Sequence, residues 1–140
     1  MIYKNKHLKV TDFVHAKFIG DRAEDNVLAF TDEDHRPIVP DERTGLHFIA
    51  PEYIEEGEES FGMDLWALGC IIYFMITGEK PFDGPDFDTI VLNIVRRAIE
   101  LDGGAAADMS PEAKDLILKL LHTQPDLRLG AGEEGSQQDF

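Results

Sequence analysis

The sequence predicts a mainly α fold, entered through a short N-terminal β-ribbon and a long polar loop. Three observations predict it. The stretch "LWALGCIIYFMITG", Leu65 to Gly78, is apolar on every face a helix could present, which in a water-exposed chain marks a central core helix. Two later stretches repeat apolar residues at helical spacing. Only the opening of the chain alternates as a strand does, with Leu8, Val10 and Asp12 on one face and Lys9 and Thr11 on the other.

Taken in order, "HLKVTDF" is the first strand and "HAKFI" its partner, a strand pair over residues 5–19. Residues 20–47 are polar, proline-bearing and aperiodic, a loop longer than compact domains usually tolerate unless it is functional or disordered. "APEYI" opens a short helix, and the core helix follows over about residues 62–77, stopped by Gly78. "EKPFDGPD" is a loop punctuated by proline and glycine. Phe87, Ile90, Val91, Ile94 and Ala98 fit one helical face, predicting a helix over about 86–99. "DGGAAAD" ends it. Ser110 is a good N-cap with Pro111 at the first helical position, and Ala113, Leu116, Ile117, Leu120 and Leu121 line a helix over about 111–122.

Length and charge narrow the functions open to the chain. Its 140 residues allow one domain. A formal charge of −15 argues against nucleic acid or an anionic membrane as partner, because both are met by clustered Lys and Arg. Residues 21–60 hold 13 acidic side chains against 3 arginines, the pattern of a solvated loop. The single cysteine, Cys70, excludes a disulfide framework and suits the reducing cytoplasm. The N-terminus lacks the apolar core of a signal peptide, and the longest apolar run falls short of the about 20 residues that span a bilayer.

Asp12-Phe13 after a strand, Ala50-Pro51-Glu52, Asp64-x-Trp66-x-x-Gly69 in the core helix and Arg128 near the end occur in that order. Each is weak alone; together they resemble the C-terminal lobe of a eukaryotic serine/threonine protein kinase. The resemblance covers roughly residues 5–130. "TDFxxAK", "DLWALGCIIYFMITGEKPF" and "RLGAG" are most similar to the AGC group, and within it to the 3-phosphoinositide-dependent protein kinases. The fold it implies is a partial protein-kinase-like domain over 1–140: the C-lobe, with an activation segment over 12–52 and with N-lobe and catalytic loop absent.

The resemblance also assigns roles. Asp12 would hold Mg²⁺ bridging the phosphates of ATP. Glu52 and Arg128 would form the buried ion pair that pins the activation segment to the lobe. Asp64 would accept backbone N–H groups of the catalytic loop, Trp66 would fill the core, and Gly69 would let a helix approach closely. Read without the resemblance, Asp12 caps a turn and Glu52 and Arg128 are surface charges. The implied activity is transfer of the ATP γ-phosphate to protein Ser or Thr, with protein substrates or a partner kinase as partners.

Departures from the pattern set the limits of that expectation. The catalytic-loop Asp and Asn, the Gly-rich loop and the phosphate-binding Lys would all lie upstream of Met1. A chain without them is not expected to catalyse alone, since positioning and charge stabilisation are nearly all of phosphoryl-transfer catalysis. Val14 stands where the family has a glycine, and Gly45 where it has a threonine. The segment from Asp12 to Glu52 is longer than the family's usual one, and Asp41 stands near the position of an activation-loop phosphoresidue, a built-in negative charge. The leading expectation is a kinase fragment; the alternative is a non-catalytic, pseudokinase-like binding module. An uncovered apolar face is expected in either case.

Overall fold

The computed structural model describes residues 9–10, 45–57 and 59–131. The chain divides into two compact units, 1–30 and 31–140. Of the first, only Lys9 and Val10 are described, and they carry no regular structure; the rest of the expected strand pair, Asp12 and Val14 among it, lies outside the described residues. So do residues 20–44 of the polar loop, with Asp41.

The described part of the second unit is helical and without strands. A single 3₁₀ turn, Leu46–Phe48, leads into α1, Pro51–Glu56. Pro51 starts α1 because its fixed φ suits the first turn and its missing N–H would be unsatisfied there anyway. Gly57, at φ 70°, ends the helix.

Helix α2, Gly62–Thr77, is the longest element. Gly62, Trp66, Gly69, Cys70 and Tyr73 form its buried face, spaced as successive turns of one side. That face receives α4, Pro111–Leu120, and the turn at 46–48. The opposite face is open, with Phe61 70% and Met75 73% exposed and Leu68, Ile71, Phe74 and Ile76 exposed beside them. Among the described residues, the helix is therefore central in composition but covered on one side.

Helix α3, Phe87–Val95, packs against α1 and starts at Asp86, whose side chain accepts the Thr89 N–H at 2.8 Å. It stops four residues short of the stretch to 99 that the apolar spacing predicts. Arg97 takes a left-handed φ of 51°, and the amides of Arg97 and Ala98 fold back to the carbonyls of Ile94 and Asn93. This is a Schellman closure built on arginine where glycine is usual, so no sequence punctuation announces it. Arg97 also donates from Nη2 to the Leu118 carbonyl of α4 at 2.5 Å. Tyr73 fastens the chain beyond by donating to the Glu100 carbonyl at 3.1 Å.

Helix α4 begins at Ser110, whose hydroxyl accepts the Ala113 N–H at 3.2 Å, with Pro111 following. It gives way at Leu121, just short of the predicted end at 122. The core beneath these helices is Leu46, Trp66, Cys70, Tyr73, Phe82, Ile90, Ile94, Met109, Ile117 and Leu121, with Ala50 and Ala106. Among the described residues no helix is long and apolar enough to cross a membrane.

Candidate functional site

Where α1 meets the chain after α4, a carboxylate and a guanidinium are buried against each other. Glu52 lies in the first turn of α1, where a negative charge suits the free N–H groups of the helix start. Arg128 follows the 3₁₀ turn Pro125–Leu127. Arg128 Nη1 and Nη2 donate to Glu52 Oε1 and Oε2, each at 2.6 Å, a fork-to-fork pair between residues far apart in sequence. Glu52 is 7% and Arg128 2% exposed.

The rest of the guanidinium is also used. Nε donates to the His122 carbonyl at 2.8 Å, Nη2 reaches the Thr123 carbonyl at 3.4 Å, and Cζ lies 5.1 Å from the centre of the Trp66 ring. The cation therefore rests on an aromatic face. Trp66 in turn stacks on Phe82, 5.4 Å between centroids and 11° from parallel. Its Nε1 is buried without a hydrogen-bond partner among the described residues. Gly62 makes room: a Cβ there would lie 3.1 Å from Pro125 Cβ and 3.2 Å from Arg128 Nη1. Ser60, in the linker between α1 and α2, donates to Glu52 Oε1 at 3.4 Å.

Gly69 sits where α2 crosses α4, and a Cβ there would come within 2.9 Å of Leu121 Cδ2 and 3.0 Å of Leu120 Cβ. Asp64 is exposed on the first turn of α2, with no hydrogen bond or ion pair to its side chain among the described residues. The structure thus brings Glu52, Arg128 and Trp66 into one assembly and leaves Asp64 outside it.

His47 is a residue the sequence reading missed. It is 4% exposed, with Nδ1 2.9 Å from the Phe82 carbonyl and Nε2 2.7 Å from Lys80 Nζ. A carbonyl can only accept and an ammonium can only donate, so the network assigns the proton to Nδ1 and the lone pair to Nε2. His47 thereby ties the segment before α1 to the loop that carries Phe82. Its neighbour Gly45 adopts a φ of 95° and its carbonyl accepts the Phe48 N–H at 2.9 Å, a left-handed turn that the threonine of the family pattern would enter only under strain.

Among the described residues no group of three His, Cys, Asp or Glu side chains could hold a metal ion. The carboxylate that the resemblance gives to Mg²⁺, Asp12, lies outside them.

This fold, with its buried Glu–Arg pair under a helix carrying Asp64, Trp66 and Gly69, is that of a kinase C-lobe. The protein kinase domain family matches residues 1–140, and the chain belongs to it. The chain is 33% identical over 135 residues to 3-phosphoinositide-dependent protein kinase 1 of Arabidopsis thaliana, covering 96% of this chain and 26% of that protein. It is 30% identical over 139 residues to the human RAC-beta serine/threonine-protein kinase, covering 99% of this chain and 25% of that one. A shorter match, 40% over 89 residues, joins it to the serine/threonine-protein kinase PKZ1 of Phytophthora infestans, with 61% of this chain and 22% of that protein covered. The solved twitchin kinase region from C. elegans aligns with a TM-score of 0.56 and 31% identity, over 59% of this chain and 15% of that one. These relatives place the chain among AGC-like serine/threonine kinases, and it spans about a quarter of their length.

Proposed function

We propose that the chain contributes the C-lobe part of a serine/threonine kinase that moves the ATP γ-phosphate to Ser or Thr of protein substrates, and that it does not catalyse alone. The Glu52–Arg128 pair, seated on Trp66, is the observation that carries this reading, because it fixes α1 against the helical body. In that role the pair holds the end of the activation segment, the place where a protein substrate would lie. Gly69 sets the depth at which α4 meets α2. Asp64, exposed and without a side-chain partner among the described residues, would take backbone N–H groups of a catalytic loop, Asp12 would supply a carboxylate to Mg²⁺ when Mg·ATP is bound, and Asp41 a standing negative charge. The setting is cytoplasmic.

Thermal melts of the chain with and without Mg·ATP, beside the transcript read upstream of Met1, test the reading. The expected result is no nucleotide shift for the chain alone and an in-frame His-Arg-Asp-x-Lys-x-x-Asn stretch upstream. Absence of that stretch overturns it.

A second reading is a non-catalytic module that docks substrates or a partner kinase. Gly45 supports it, since its left-handed turn occupies a position at which the family pattern places a threonine. Capture of a purified kinase by the chain, with the upstream stretch missing, would favour this reading over the first.

A further inference from the structure

We propose that Ser60 is a phosphorylation site whose modification takes apart the Glu52–Arg128 tie and loosens α1. The proposal concerns the chain as a substrate, so it holds whether or not the chain takes part in phosphoryl transfer itself.

Ser60 stands in the irregular linker between α1 and α2, half-buried between exposed Glu59 and exposed Phe61. Its hydroxyl donates to Glu52 Oε1, the oxygen that already takes Arg128 Nη1. Its carbonyl accepts the Met63 N–H at 3.2 Å as α2 begins. Acidic residues flank it on both sides, Glu55, Glu56, Glu58 and Glu59 before and Asp64 after. The modifying enzyme that this sequence fits is an acid-directed protein kinase, one whose peptide groove is basic.

In that enzyme the Ser60 oxygen attacks the γ-phosphorus of Mg·ATP. The bond from that phosphorus to the β–γ bridging oxygen breaks, ADP leaves, and the hydroxyl proton passes to the enzyme's base. The product has lost the donor that Ser60 gave to Glu52. In its place is a group of about −1.5 to −2 charge that offers only acceptor oxygens.

Two effects then act together. The phosphate repels the Glu52 carboxylate inside a poorly screened site, and it competes for the guanidinium as a stronger bidentate acceptor. The two partners of the pair do not fare alike. Arg128 keeps the His122 and Thr123 carbonyls and the Trp66 ring. Among the described residues, Glu52 is held by Arg128 and Ser60 alone, so α1 is the side released.

The experiment treats the full chain with an acid-directed kinase and Mg·ATP, maps the phosphate by peptide fragmentation, and follows thermal unfolding and amide exchange. Phosphate on Ser60 is expected, with the melting midpoint lower by roughly 5 °C. Exchange should quicken at residues 53–57 while α4 keeps its protection. Ser60→Ala should abolish the midpoint shift even if Ser110 or Ser136 is modified, and Ser60→Glu should lower the midpoint with no kinase added. A folded chain that takes no phosphate at Ser60 overturns the proposal. So does a Ser60-phosphorylated chain whose midpoint and exchange are unchanged or raised.

Discussion

Glu52 depends on Arg128 more than Arg128 depends on Glu52, and substitutions should expose the difference. Removing either partner strands a buried charge, which costs about 3–5 kcal/mol. For Arg128→Ala the loss should lie at the upper end, since the His122 and Thr123 carbonyls lose their donor and Trp66 its cation as well. Glu52→Gln should cost less, and the double variant less than the two singles added, because one interaction is being removed twice. Urea denaturation of the three variants measures this; strictly additive losses would show that the pair is not coupled. The identities of Glu52 and Arg128 are legible in the sequence only through the order of the family's motifs, because no periodicity links residues so far apart. His47 was not legible at all. A lone histidine between Leu46 and Phe48 carries no sequence signal for the carbonyl of Phe82 or the amine of Lys80.

Each helix betrays a different part of itself in the sequence. Helix α4 is readable at both ends because Ser110 and Pro111 announce its start and its apolar stripe runs out at Leu121. Helix α3 is readable at its start and misread at its end, since Arg97 makes the left-handed closure that glycine would have marked. Helix α2 shows the reverse problem. Its existence is plain, but an all-apolar sequence has no polar face to show which side is buried. Gly62, Trp66 and Gly69 mark that side, and only packing explains why. Gly69→Ala tests the explanation. Alanine favours a helix by up to about 1 kcal/mol over glycine, but its Cβ would stand 3.0 Å from Leu120 Cβ, an atom too close to the backbone to swing away. The overpacking, about 1–3 kcal/mol, should win, and chemical denaturation should show a net loss. A more stable Gly69→Ala variant would mean that α2 and α4 separate without cost.

At the largest scale, the described part of the second unit has an apolar core beneath one face of α2, in a chain of formal charge −15. Composition showed the charge and the apolar content, and both are found; which apolar side chains would face water was readable only as an expectation of an uncovered face. The thiol of Cys70 reports on how closed the covered side is. Burial pushes it up to about 12, against an ordinary 9.0. Because the folded form holds its proton more tightly, Cys70 favours the fold fully below the ordinary thiol range and progressively less as pH climbs from there toward 12. At pH 8 the thiol should therefore react with a chromogenic thiol reagent only as fast as the chain opens, and at the unhindered rate in denaturant. Rapid labelling of the native chain would show that the space between α2 and α4 is open to solvent.

The cation over Trp66 has one more consequence. The chain contains a single tryptophan, and that ring lies directly beneath the guanidinium that grips α1 and flat against Phe82. A positive charge beside an indole alters its emission, so the chain's tryptophan fluorescence, excited apart from its three tyrosines, comes from the joint itself. The residue that fills the core is also a native optical gauge of whether α1 is clasped or released.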